Sequence, residues 1–230
     1  HNGSRGLGDV YKRQVHDLIR EFLVRSIDEQ TKQSVHSTCA SFYSKLSKSS
    51  ETTLEQIYHE LASERQQEAI EKIVEFGRQL VSQGHLELLS LIESVSIDRL
   101  EASLMAPMMQ LQGDILLMLG RFEQASSIFE TASKAAKEAN LPVVYSEILG
   151  SQADIAMKQG QTDKALSSQK EALEVQVELG DAKGAARTYN NMGYLYRRKN
   201  DRAKALEAYS EVEAIISSDE SLLSAQIILG

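Results

Sequence analysis

An all-α fold is the expectation, and three observations carry it. Pro107 and Pro142 are the only prolines in 230 residues, and proline is the residue that most strongly interrupts a helix. Ala, Leu, Glu, Lys and Gln, all strong helix formers, are plentiful. Three segments align without a gap at a spacing of 40 residues. They are "MMQLQGDILLMLGRFEQASSIFETA" from Met108, "ILGSQADIAMKQGQTDKALSSQKEA" from Ile148 and "TYNNMGYLYRRKNDRAKALEAYSEV" from Thr188. A fixed period of that length marks an array of repeated supersecondary units.

The chain opens on "HNGSRGLGDVYKRQ", which is Gly-rich and without helical period. Gly6-Leu7-Gly8 lacks the third glycine and the preceding strand of a nucleotide fingerprint. The string "DVYKRQ" resembles a peptide that recurs where adapter sequence is translated at the broken end of an assembled read. Residues 1–14 are therefore expected to be a non-native segment or a disordered tail. From Val15 the character changes: Val15, Leu18, Ile19, Phe22, Leu23 and Ile27 fall at helical spacing and form an amphipathic stripe.

Within the repeats, corresponding positions carry Gly113, Ala153 and Gly193, then Gly120, Gly160 and Asn200, then Ala125, Ala165 and Ala205. Phe129, Gln169 and Tyr209 follow four residues later. A small residue in mid-helix lets a neighbouring helix approach closely. Gly or Asn supplies the left-handed turn that ends the helix. The second helix then needs an alanine at the crossing and a large apolar residue one turn on, a rule that Gln169 breaks. Upstream, Gly77 and Gly84 keep the seven-residue gap of Gly113 and Gly120. Downstream, "DESLLSAQIILG" reads as the opening helix of a further copy. The expected organisation is a tail at 1–14, a helical region at 15–69 and repeats over 70–230. The repeats divide near 70–104 (degenerate), 106–145, 146–185, 186–219 and a partial 220–230. Truncation is expected at the N-terminus from the adapter-like string, and at the C-terminus because the chain stops within a repeat and no polar capping helix is visible.

The pattern resembles the tetratricopeptide repeat, a helix–turn–helix unit. The third copy matches best, through Tyr189, Asn191, Met192, Gly193, Tyr196, Ala205 and Tyr209. The spacing of 40 departs from that family's usual 34 and is similar to its longer variants. The resemblance implies a right-handed α-solenoid of antiparallel helix pairs, in which the first helix of each pair lines a concave groove for a peptide or protein. Mapped by signature position, the groove residues are Arg187, Asn190, Tyr194, Arg197 and Arg198 in the third copy. The earlier copies offer Gln110, Asp114, Leu117, Met118, Glu147, Asp154, Met157 and Lys158. Arg with Asn and Tyr suits an acidic or carboxylate group on the partner, through charge-assisted hydrogen bonds.

"VHDLIREFLVRSIDEQ" followed by "LEQIYHELASERQQEAIEKIV" resembles the junction between the winged helix and the helical sensor arm of STAND-type (NB-ARC-like) nucleotide switches. Val15-His16-Asp17 stands where that family has Met-His-Asp, and Tyr58, His59, Ala62 and Ala69 match the helical pair that follows. The resemblance implies that His16 contacts bound ADP in an intact parent, and that the fragment is the ligand-sensing or scaffold arm of a signalling or transcription-regulating ATPase. A free-standing repeat adaptor and a winged-helix DNA-binding regulator with a repeat sensor are the alternatives.

No chemistry is expected within the fragment. No G-x-x-x-x-G-K-[ST] occurs, and "GDAKGAART" lacks the spacing. The histidines form no H-E-x-x-H or i,i+4 pair, so no metal or cofactor is expected. Cys39 is the only cysteine, which excludes an internal disulfide. It follows His36 by three residues on one helical face and reads as a packing residue. Glu171 and Glu174 read as solvent-facing. Residues 1–14 hold Arg5, Lys12 and Arg13 against Asp9, a balance of +2, so residues 15–230 carry −10 of the net −8. Such a chain repels nucleic acid and anionic membranes. No apolar run approaches the ~18 residues of a membrane span, and a cytoplasmic location is the expectation.

Overall fold

The structure, a computed structural model, describes residues 27–218. The tail at 1–14, the Val15-His16-Asp17 string and the partial copy at 220–230 lie outside the described residues. Among the described residues there are ten α-helices, one 3-10 turn at Ile97–Arg99 and no strand. None of these helices is long and apolar enough to cross a membrane. The chain divides into two compact units between Leu91 and Ile92.

The first unit contains α1 (Glu29–Tyr43), α2 (Ser50–Leu61), α3 (Gln66–Ser82) and the start of the short α4 (Leu88–Glu93). Asp28 caps α1 by accepting from the Thr31 amide at 2.9 Å. Ser49 and Thr52 form a reciprocal capping box at the start of α2, so that orphan amide donors at both helix starts are satisfied. α1 packs on α2, and α2 on α3. Ala69, Ile70, Ile73, Gly77, Leu80 and Val81 recur every three or four residues along α3 and are all buried. With Ala40 and Ile57 they make the core of this unit.

One charge sits inside that core. Glu60 of α2 is 0% exposed. Its Oε1 accepts from Gln56 Nε2 at 2.9 Å and lies 3.4 Å from Arg65 Nη2. Lys72 Nζ stands 3.1 Å from Oε2 but outside hydrogen-bonding geometry, so charge alone satisfies that oxygen.

The second unit is a solenoid of three helix pairs in strict phase. α5 (Ala102–Met118), α7 (Pro142–Lys158) and α9 (Ala182–Arg198) are the first helices. α6 (Phe122–Glu138), α8 (Thr162–Glu178) and α10 (Arg202–Ser218) are the second. Each helix packs against the next in sequence. Left-handed backbone recurs every twenty residues, at Gly120, Asn140, Gly160, Gly180 and Asn200, with φ of 73°, 51°, 75°, 67° and 61°. At each one the chain reverses through the same pair of bonds. At Gly120, for example, its own amide donates to Leu117 O at 3.1 Å and that of Arg121 to Leu116 O at 2.9 Å. This is the double closure of a Schellman turn, and it satisfies carbonyls that the helix end leaves open. Gly84, with φ of 94°, ends α3 through the same two bonds, His85 to Leu80 and Gly84 to Val81.

The two prolines behave differently. Pro142 occupies the first turn of α7, where its missing N–H costs nothing. Pro107, of the residue type that most strongly interrupts helices, lies inside α5. Its position in the second turn removes one bond, to the carbonyl of Ser103. Ser103 is exposed, where solvent can take the place of the missing donor.

The core of the pairs is a seam of small residues. Ala153, Ala156, Ala165 and Ala208 pack with Leu166, Met192 and Leu195. Short side chains at the crossings bring helices close together, and the apolar area removed from water contributes about 25 cal/mol per Å².

Candidate interaction surface

The expected structural positions meet as pairs across each helix turn. A Cβ built on Gly113 would lie 2.5 Å from the Phe129 ring, and one on Gly193 would lie 2.5 Å from the Tyr209 ring. Each aromatic ring therefore occupies the space that a side chain on the facing first helix would need. In the middle pair Ala153, 1% exposed, takes the glycine position and Gln169, 2% exposed, takes that of the ring. Gln169, which sequence alone marks as an exception, is the partner that leaves room for the alanine methyl. Ala125, Ala165 and Ala205 are buried to 0%, 0% and 3% at the crossings.

The candidate groove residues lie on α5, α7 and α9. Gln110 Nε2 donates to Glu147 Oε2 at 3.1 Å, and Ser151 Oγ donates to Asp114 Oδ1 at 3.0 Å. These two bonds tie α5 to α7 along the shared face. Asp154 is half-buried, and burial pushes its carboxyl above the ordinary value; the charges of Lys158 and Arg187 pull it back in part. Lys158 Nζ stands 5.6 Å from the Phe122 ring centroid, a cation–π contact. Arg198 donates weakly to the Met157 carbonyl at 3.4 Å. Leu117 and Met157 are half-buried, and Met118 is exposed.

Arg187, Asn190, Tyr194 and Arg197 differ from these. They follow one row of α9 at intervals of three and four residues. All four are exposed. Among the described residues their side chains make no hydrogen bond or ion pair. Two guanidinium groups, an amide and a phenol thus face solvent together, presenting donors at helical spacing.

Three further clusters were not legible as such in the sequence. Tyr145 is 7% exposed and its hydroxyl donates to Glu171, whose Oε1 also lies 3.2 Å from Lys137 Nζ. The Tyr145 hydroxyl is the main reason that the Glu171 carboxyl is held below the ordinary range. Glu171 is therefore a bonded residue between two helices and not a plain solvent-facing one, while Glu174 is exposed. The second cluster is the buried Glu60 group.

The third joins α1 to α2. His36 Nδ1 and His59 Nδ1 are 2.8 Å apart, so one ring donates and the other accepts. The Tyr43 ring stacks on His59 with centroids 5.6 Å apart. Glu55 stands 3.9 Å from His59 Nε2. His36 thus spends a ring nitrogen on His59, and Cys39 is a half-buried free thiol. Burial, followed by the neighbouring His36, holds His59 below its ordinary value of 6.5, against the pull of Glu55. A base whose folded pKa is depressed makes the folded state bind fewer protons than the unfolded one. Its contribution is full above the unfolded value and is lost as pH falls from there through the folded one. Thermal melts are expected to show a Tm that falls on acidification below about pH 6.5. His59→Phe should flatten that segment, and an unchanged slope would assign it to other groups. Among the described residues no cluster of three or more His, Cys, Asp or Glu side chains could hold a metal ion.

Residues 145–218 match the tetratricopeptide repeat family. No curated protein matches the chain. Two solved structures are similar in fold. BtubC (BKLC) of P. vanneervenii superposes with a TM-score of 0.55 at 20% identity, over 80% of this chain and 75% of that one. Aspartyl phosphate phosphatase F of Bacillus subtilis superposes with a TM-score of 0.64 at 16% identity, over 76% of this chain and 48% of that one. At these identities the likeness is one of architecture. A tetratricopeptide-type solenoid is consistent with a role in protein–protein interaction or scaffolding, since stacked repeats expose extended faces that such proteins use for binding.

Proposed function

We propose that this protein is a peptide- or protein-binding module, and that its partner presents an acidic or carboxylate group to α9. The row Arg187–Asn190–Tyr194–Arg197, exposed and making no side-chain hydrogen bond or ion pair among the described residues, carries the reading. A guanidinium group keeps its charge at all physiological pH values and matches a carboxylate in a two-pronged bond. The test is binding of a fluorescein-labelled peptide ending in a run of glutamates, measured by anisotropy against the same peptide with glutamines. Charge-assisted hydrogen bonds contribute about 1.5–3 kcal/mol each. Arg187→Glu with Arg197→Glu should therefore weaken the acidic peptide about tenfold or more, and the glutamine peptide little. Equal binding of the acidic peptide by both proteins would remove the assignment.

The finer reading places this module as the ligand-sensing or scaffold arm of a STAND-type ATPase, with His16 as the nucleotide contact of the parent. Its support is the sequence string Val15-His16-Asp17 together with the helical pair around Tyr58 and His59. Recovering the upstream coding sequence tests it. A continuous frame with a Walker A motif supports the parent, and a native start codon near Val15 leaves a free-standing adaptor.

A further inference from the structure

The phase of the repeats lets one site be compared with its own counterpart forty residues earlier. Between α6, α7 and α8, three side chains fill one place: Tyr145 bonds Glu171, and Lys137 Nζ sits 4.5 Å from the Tyr145 ring centroid. In the next step of the solenoid, between α8, α9 and α10, the corresponding positions carry Ala185, Glu211 and Val177. The carboxylate is retained. The ring that bonded it and the cation that covered it are gone. A groove of about 280 Å³ lies there, with Val177, Ala185, Tyr189 and Ile215 among its walls and Glu211 and Asp181 at its polar side.

We propose that this groove binds a tyrosine side chain of a partner peptide, seated where Tyr145 sits one repeat earlier and donating its hydroxyl to Glu211. The apolar walls suit a ring. Asp181 already accepts from the Gly184 amide at 2.9 Å, whereas Glu211 makes no hydrogen bond or ion pair among the described residues. Glu211 is therefore the acceptor left for a ligand. A further stacked pair leaves the polar side of such a place open. One step earlier, with α9 and α10 already stacked, the Lys137 and Glu171 side chains remain 59% and 46% exposed. The groove also lies off the basic row of α9: Ala182, Ala185 and Tyr189 follow one helical row, and Arg187, Asn190 and Tyr194 another. The two sites stand or fall separately.

The experiment is an NMR titration of the full chain with 4-methylphenol, the isolated side chain of tyrosine, with toluene and n-butylamine as controls. The expected result is saturable shifts at Ala185, Tyr189 and Ile215 with 4-methylphenol, and weaker ones with toluene. Glu211→Ala should weaken 4-methylphenol about tenfold, the usual effect of a hydrogen bond to a charged group. Ala185→Tyr, which restores the ring of the earlier repeat, should abolish binding and raise the Tm. Glu211 is exposed, so Glu211→Ala tests the acceptor whether or not Ala185→Tyr folds. The proposal is overturned if 4-methylphenol leaves these resonances unmoved, if toluene binds as well, or if n-butylamine binds in preference, which would make the groove a cation site.

Discussion

Gly113→Ala is expected to lower the stability of the second unit by about 1–3 kcal/mol, the usual cost of forcing extra volume into a packed core. Three atoms of the Phe129 ring would stand 2.5, 2.7 and 2.9 Å from the new methyl. Phe129 is 0% exposed, so the ring has nowhere to retreat. Gly113→Leu should unfold the unit outright. The same change at Gly193 meets Tyr209, which is only half-buried and can swing aside, so Gly193→Ala should cost less. The middle pair supplies the remedy. There a methyl on Ala153 coexists with Gln169, and Phe129→Gln in the Gly113→Ala background should recover part of the loss. Conversely Gln169→Phe alone should destabilise, while Gln169→Phe with Ala153→Gly should be tolerated. Coupling of neighbouring residues runs at about 0.5–3 kcal/mol, within reach of a urea-denaturation cycle. Gly113→Ala at wild-type stability, or a cycle without coupling, would remove the claim that these positions share one space.

The second large effect lies in the first unit. Lys72→Met is expected to cost about 3–5 kcal/mol, the range for removing one partner of a buried pair. It strands the Glu60 carboxylate oxygen that has only Lys72 beside it. Glu60→Met should cost less. The cations that it leaves are 24% and 31% exposed, at Lys72 and Arg65, and can turn to water. The double change, Glu60→Met with Lys72→Met, should be milder than Lys72→Met alone, because two apolar side chains then replace the pair. Chemical denaturation of the three variants decides this. If Lys72→Met proves harmless, the buried carboxylate draws its support from Arg65 and Gln56 instead.

These two sites also mark what the sequence could and could not disclose. Gly113, Phe129, Ala125 and their counterparts were legible because packing repeats them every forty residues, and Gly120 and Asn200 because the left-handed turn admits few residue types. The Gly–aromatic exclusion was half visible: Gln169 stood out as an exception, but only the distance from Gly113 to Phe129 shows that it answers Ala153. The Glu60 group was hidden. In "IYHELASER" the matching points are Tyr58, His59 and Ala62, and a carboxylate three residues after Ile57 signals burial only when its helix is seen enclosed. Tyr145, Lys137 and Glu171 come from three different helices, and His36 and His59 from two. Such contacts depend on how helix faces are turned toward each other, which no period in the sequence encodes. The α9 row follows from signature positions in the sequence, and its exposure is what the structure adds.

The left-handed residues at 120, 140, 160, 180 and 200 also set how this chain can change its length. A single residue added within a helix rotates everything after it by about 100°. Every later side chain then leaves its place in the seam, and the next turn closes in the wrong direction. A whole helix pair added or lost at one of these turns disturbs nothing beyond its two junctions. The gene can therefore grow or shrink in steps of one pair and tolerates almost no step between, whereas the identities of the exposed side chains on each pair are free to drift. Recognition can be rewritten residue by residue while size changes only by duplication or deletion.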